Sequence, residues 1–205
     1  MLRSLFYSIV NAIIPPRVRE IRLAALTLED LESLRITPPA GGGLPYHDKR
    51  VTALIGELKY NANARAYQLA GVFLSEELLG IASEELGKPL LIPIPMHPKR
   101  RRERGYNQTE LLCKAALVHL NTAYIYEPEV LMRVSHTPPQ QTLTRRKRLS
   151  NVKNSMRVVE TEKVRGRVCV VIDDVSTTGA TLAEAARALY KAGARKVHTV
   201  ALARS

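Results

Sequence analysis

At 205 residues the chain is long enough for one domain plus an extension and calls for no second full domain. Its 31 Lys and Arg against 19 Asp and Glu give a formal charge of +12, which attracts polyanions without choosing between nucleotide-like substrates and nucleic acid. Two cysteines, Cys113 and Cys169, exclude a disulfide framework and a Cys-only metal site; the lack of any apolar run of ~20 residues excludes a membrane-spanning helix, so a soluble cytoplasmic protein is expected.

Met1 to Ile14 carries Leu2, Leu5, Phe6, Ile9 and Ile13 at helical spacing and reads as an amphipathic helix stopped by Pro15-Pro16. It is basic at Arg3 and then apolar, as in a signal peptide, but lacks a small-residue cleavage site, and packing against a core or partner is the expectation. A basic stretch at Arg17, Arg19 and Arg22 follows, then a short helix near Leu28 to Leu34 with Thr27 and Asp30 as its capping box. Pro38 to Gly43 is the best boundary, dividing an N-terminal extension over 1–44 from a domain over 45–205. Val51, Leu54, Ile55 and Leu58 mark one helix, and Ala66 to Leu79 a second.

Leu90 to Pro95 reads as a strand with its prolines toward the end, followed by a basic loop and a helix from about Asn107 to His119. Val130 to Val134 and Met156 to Val159 are strand candidates, separated by a long, polar, partly helical functional loop over Ser135 to Asn154. Val168 to Ile172 is a continuous β-favouring run, as expected of a central parallel strand covered on both faces. Leu182, Ala185, Ala186 and Leu189 trace a helical face, Gly193 stops it, and Val197 to Leu202 form a last strand. This unit predicts an α/β fold, a mostly parallel sheet flanked by helices with right-handed crossovers.

Ligands of open parallel sheets bind beyond the carboxyl ends of the strands, which places Asp173 to Thr181 at the candidate site. Ser176, Thr177, Thr178 and Thr181 supply hydroxyls, Gly179 allows close backbone approach, and the next helix presents free N–H groups to an anion. Asp173 and Asp174 suit vicinal hydroxyls and a magnesium ion, because carboxylates accept from hydroxyls and attract metal-bound water. The pattern fits a phosphorylated sugar. A strand end followed by a capped helix is the plain structural alternative.

Val171 to Thr181 closely resembles the phosphoribosyl pyrophosphate motif of the type I phosphoribosyltransferases. Within them, Pro93 to Pro98, Arg104 to Gln108, Leu58-Lys59-Tyr60 and the string Thr137 to Gln140, Leu143, Arg148 and Asn151-Val152 resemble the ComF group, named for bacterial competence. The resemblance implies that Asp173 and Asp174 hold the ribose hydroxyls and the magnesium shell, with no direct protein ligand to Mg2+. Ser176, Thr177, Thr178, Gly179, Ala180 and Thr181 would hold the 5′-phosphate. Pro95, Met96 and His97 would line the pyrophosphate loop, with Arg100, Arg104 and Arg148 neutralising the diphosphate. Gln140 to Asn151 would form a flap. Each arginine can equally be a solvated surface charge. An acid commonly stands where Thr177 is in purine-type relatives, which speaks against a purine acceptor. Many ComF proteins begin with a four-cysteine zinc module; this sequence lacks those cysteines, so zinc is not expected here.

Three functions stay open at this point: transfer of the phosphoribosyl group with release of pyrophosphate, handling of single-stranded DNA, and a phosphoribosyl pyrophosphate sensor without turnover. The family name adds a competence helicase as a partner to consider. Tyr106 is the nearest aromatic for base stacking beside the basic clusters at Lys99 to Arg104 and Arg145 to Arg148. Neither the oligomeric state nor the acceptor is legible.

Overall fold

The computed structural model describes residues 16–36, 42–134 and 153–205. The expected helix over Met1 to Ile14, most of the glycine-rich boundary and the segment carrying Gln140, Arg148 and Asn151 lie outside them.

Five parallel strands make the main sheet, in the order β1 (Leu44–Pro45), β7 (Lys196–Arg204), β6 (Val168–Ser176), β2 (Leu90–Pro93) and β3 (Ile125–Tyr126). β6 takes the centre because its residues favour extended backbone and shed water on both sides. Val170 and Ile172 enter one apolar cluster, and Cys169 and Val171 enter the other. β2 repeats the division, with Leu91 on the first side and Leu90 and Ile92 on the second.

The first side is covered by α1 (Pro16–Ala25), α2 (Leu28–Ser33), α3 (Lys49–Tyr60), α4 (Ala64–Ser83) and α6 (Gln108–Leu117). α4 and α6 approach closely at Gly71, where a Cβ would meet the carbonyl carbon of Ala115 at 2.7 Å. The second side is covered by α7 (Thr161–Val164), α8 (Ala180–Lys191) and an antiparallel pair, β4 (Leu131–Arg133) with β5 (Met156–Val158). The two strand candidates around residue 145 thus pair with each other, outside the main sheet.

Residues 16–36 share the domain's core: Leu23, Leu26 and Leu31 are buried in the same cluster as Leu54 and Phe73. The basic stretch at Arg19 and Arg22 is helical, and Arg65 closes the C-terminal end of α1 by donating to the carbonyls of Leu23, Ala24 and Leu26. The capping box at Thr27 forms as read, with Asp30 N donating to Thr27 Oγ1 at 3.1 Å and Thr27 N to Asp30 Oδ2 at 3.0 Å.

Other boundaries move. The segment after β2, expected to be a loop, contains a helix, α5 (Pro98–Arg104), with Pro98 opening it and Gly105 at φ 89° closing it. The helix expected to reach His119 ends at Leu117. On α8 the buried positions are Ala180, Leu182, Glu184, Ala185, Ala188 and Leu189, so Ala188 takes the core place expected for Ala186.

Candidate functional site

β6 does not stop at Ile172. It continues through both aspartates to Ser176, in register with β7 at Val175 with Ala203 and at Ser176 with Arg204. The expected loop from Asp173 is therefore strand for four residues, and the turn proper is Thr177 to Gly179. Gly179 reverses the chain at φ 75°, a conformation that L side chains rarely adopt, and opens α8. It has no side chain to cap the helix, and only Thr178 Oγ1 reaches in, accepting from Ala180 N at 3.4 Å. The first turn of α8 carries no acid. An open depression of about 230 Å³ lies there, lined by Asp173, Val175, Ser176, Thr177, Thr178, Gly179, Ala180 and Thr181. A helix N-terminus with unclaimed N–H groups and a ring of hydroxyls is chemically an anion cradle.

Consecutive strand residues project to opposite faces, so the two acids divide. Asp173 lines the cradle. Asp174 turns toward α3, where Lys59 Nζ lies 3.2 Å from Asp174 Oδ2. The lysine side chain is 22% exposed and that of Asp174 only 6%, so the pair is largely out of water. Asp174 Oδ1 accepts from Val175 N at 2.7 Å, whereas Oδ2 has no hydrogen bond, only the ion pair. Burial, and then the charge of Asp174, push the Asp173 carboxyl well above its ordinary pKa; Lys59 pulls the other way.

Arg133, on β4, lies close enough to Asp173 to feel its charge. Burial pulls its pKa down, while Asp173 and Glu184 pull it up and Arg100 opposes them. Its Nε is buried without a hydrogen bond. Arg100, on α5, is half-buried, and its pKa is lowered by burial and then by Arg104. Arg104 sits 5.8 Å from the Tyr60 ring centroid and donates to Gln108 Oε1. These cations and Lys59 belong to elements that converge on the carboxyl end of the sheet.

The loop between β2 and α5 is fixed at its root. Ile94 N donates to Ile172 O at 2.8 Å, and the Ile94 carbonyl accepts from Asn107 Nδ2 at 3.1 Å and Thr109 Oγ1 at 2.7 Å. Pro95 and Met96 follow, half-buried, and His97 Nδ1 accepts from Lys99 N at 3.2 Å as the cap of α5. Tyr106, expected as a stacking aromatic, instead fastens its hydroxyl at the end of α3: it donates to the Leu58 carbonyl at 3.3 Å and accepts from Ala62 N at 3.1 Å. The Tyr67 hydroxyl donates to the same carbonyl at 3.0 Å. The string from Arg104 to Gln108 thereby holds both the loop after β2 and the turn that presents Lys59.

Of the residues singled out in the sequence, Asp173 and Ser176 to Thr181 come together in one cradle, with Thr177 the most exposed. Asp174 adjoins it from the other face. Lys59, Arg133 and Glu184 were missed as site residues. Glu184 is buried on α8 and accepts from Met156 N at 3.3 Å and from Arg187, which ties β5 to the cradle helix. The one sequence signal available for Lys59 was its place in Leu58-Lys59-Tyr60.

Asp174 Oδ2 is a buried acceptor that makes no hydrogen bond and pairs only with Lys59, and the Asp173 carboxyl stands beside it. Among the described residues no three His, Cys, Asp or Glu side chains converge as a metal cage. The residues thus fit a hard cation that brings most of its oxygen ligands with it, the manner in which magnesium accompanies phosphates.

A parallel sheet with an acid pair and an anion cradle at the end of its central strand defines a phosphoribosyltransferase-type protein, and residues 129–205 match the family described as Phosphoribosyl transferase domain. The chain is 34% identical over 159 residues to the DNA utilization protein YhgH of Salmonella typhi, covering 76% of this chain and 67% of that protein. It is 37% identical over 117 residues to Competence protein F of Haemophilus influenzae, covering 56% of this chain and 50% of that protein. A hypoxanthine phosphoribosyl transferase of Trypanosoma cruzi superposes with a TM-score of 0.44 at 14% identity, over 66% of this chain and 63% of that one. The chain belongs to the ComF family of phosphoribosyltransferase-type proteins. No helix among the described residues is long and apolar enough to cross a membrane.

Proposed function

We propose that this protein binds phosphoribosyl pyrophosphate together with Mg2+ at the turn between β6 and α8, and that it transfers the phosphoribosyl group with release of pyrophosphate. One observation carries the reading: a depression lined, among the described residues, by Asp173 and Val175 to Thr181, in front of a helix N-terminus whose first turn holds no acid. Ser176 to Thr181 take the 5′-phosphate through hydroxyls and N–H groups. Asp173 and Asp174 serve the ribose diol and the water shell of the metal. Arg100, Arg104 and Arg133 neutralise the diphosphate, which Pro95 and Met96 line. Gln140, Arg148 and Asn151 keep their proposed place in a flap.

Magnesium, when bound, neutralises the diphosphate and makes it a better leaving group. The protein's part is to hold the anomeric carbon in line with an acceptor and to face the sugar's developing positive charge with carboxylate. Isothermal titration tests the reading: one-site binding of phosphoribosyl pyrophosphate that chelation of Mg2+ abolishes. No heat at saturating ligand overturns it. Binding with pyrophosphate release marks a transferase, and binding without release marks a sensor.

The basic helix favours a second reading. α5 buries none of its residues, and Lys99, Arg101 and Arg102 are exposed on it. Such a row suits the phosphates of single-stranded DNA, although Arg101 already donates to Glu110 at 2.6 Å. With Tyr106 engaged at α3, no free stacking aromatic on α5 accompanies the charge among the described residues. A labelled oligonucleotide is therefore expected to bind weakly, with affinity falling steeply with salt; no binding at low salt removes this function.

A further inference from the structure

We propose that Lys59 is the resident cation of the acid pair: in the ligand-free site its ammonium takes the place of a divalent ion at Asp174, so that metal enters only together with the phosphorylated sugar. The inference rests on the proposed site and adds a residue with a defined role, a gate on the order of binding.

Geometry supports it on two counts. Lys59 Nζ is 3.2 Å from Asp174 Oδ2, the one carboxylate oxygen of the pair that is buried without a hydrogen bond. The lysine is delivered there by a fastened backbone: it sits in the last turn of α3, whose Leu58 carbonyl accepts from two tyrosine hydroxyls and whose C-terminal end favours a cation.

The Lys59 ammonium already balances the Asp174 carboxylate, and the positive charge of Arg133 also acts on Asp173. An incoming free divalent ion thus meets little net attraction and must displace an ion pair already out of water. A metal carried by a diphosphate arrives with compensating negative oxygens, and these give the released ammonium a new partner. Lysine suits the exchange because its compact charge rides on a flexible stem, where a planar guanidinium would stay clamped.

The experiment is Mn2+ binding, followed by electron paramagnetic resonance, without any sugar phosphate. Wild-type protein, Lys59→Gln, Lys59→Ala and Lys59→Arg are compared after circular dichroism has shown that each is folded. The expected result is weak binding by wild type and Lys59→Arg, and at least tenfold tighter binding by whichever neutral variant folds. Equal Mn2+ affinity in wild type and a folded neutral variant overturns the proposal. So does tight Mn2+ binding by the wild type alone, a measurement that needs no variant. Titration of phosphoribosyl pyrophosphate into wild type is run separately: its failure sinks the proposed function, whereas the Mn2+ comparison reports on Lys59 whatever that titration shows.

Discussion

Asp173→Asn is expected to weaken magnesium-dependent binding of phosphoribosyl pyrophosphate by roughly thirtyfold or more, while making the protein more stable at neutral pH. The first effect is the loss of a carboxyl that lines the cradle and can give up its proton when a cationic ligand binds, which an amide cannot, worth about 2 kcal/mol or more. The second follows from the raised carboxyl pKa of Asp173. A carboxyl that binds its proton more tightly folded than unfolded adds stability below the unfolded value, near 3.8, and that contribution is lost as pH rises through the folded value. At neutral pH the native protein therefore carries an electrostatic cost that asparagine, of the same shape, does not. Lys59 keeps its partner in this variant, because its ion pair is with Asp174. Thermal melts against pH are the check: each kcal/mol recovered moves Tm by about 2–4 °C in a chain of this size, and the variant loses the downward slope above the carboxylate range. A variant that melts lower at neutral pH, or that binds ligand as the wild type does, contradicts the assignment of this acid to the ligand.

Stability given up at Asp173 also explains which parts of the site were legible in the sequence. The run Val168 to Ile172 advertises a central strand because every residue is apolar and β-favouring. The two aspartates that follow are poor strand formers, and sequence alone ends the strand there. The ladder to β7 carries it on to Ser176, a tertiary effect that overrides local preference. The difference is chemical, because strand geometry sends Asp173 to the cradle and Asp174 to Lys59. Gly179 was readable, since a glycine between hydroxyl residues and a helix has few uses other than a reversal. Lys59 was not: nothing in the periodicity of α3 says that its last turn meets the end of β6. α5 was misread for the opposite reason. It has no buried residue and no apolar period, yet His97, Pro98 and Gly105 spell out its cap, its first turn and its stop. The pairing of β4, which carries Arg133, with β5 joins segments too short and too far apart in the chain for pattern to link.

Thr181→Glu is expected to separate the two uses of the same helix end. Thr181 is the second residue of α8 and lines the cradle. A carboxylate there meets the positive end of the helix dipole and should stabilise the fold by about 0.3–1 kcal/mol. It also occupies the charge that a 5′-phosphate needs. At about 4 Å and the effective dielectric of a protein surface, one such repulsion costs about 4 kcal/mol, close to a thousandfold in affinity. Binding of phosphoribosyl pyrophosphate should then vanish while the melting temperature rises slightly. Thr181→Ser, which keeps the hydroxyl, should bind within a few-fold of wild type. The opposite signs matter because a merely damaged fold lowers both quantities together. If the glutamate variant melts higher and still binds at full strength, the phosphate does not sit at this helix; if it melts lower, the helix end is not the open positive pole on which the cradle depends.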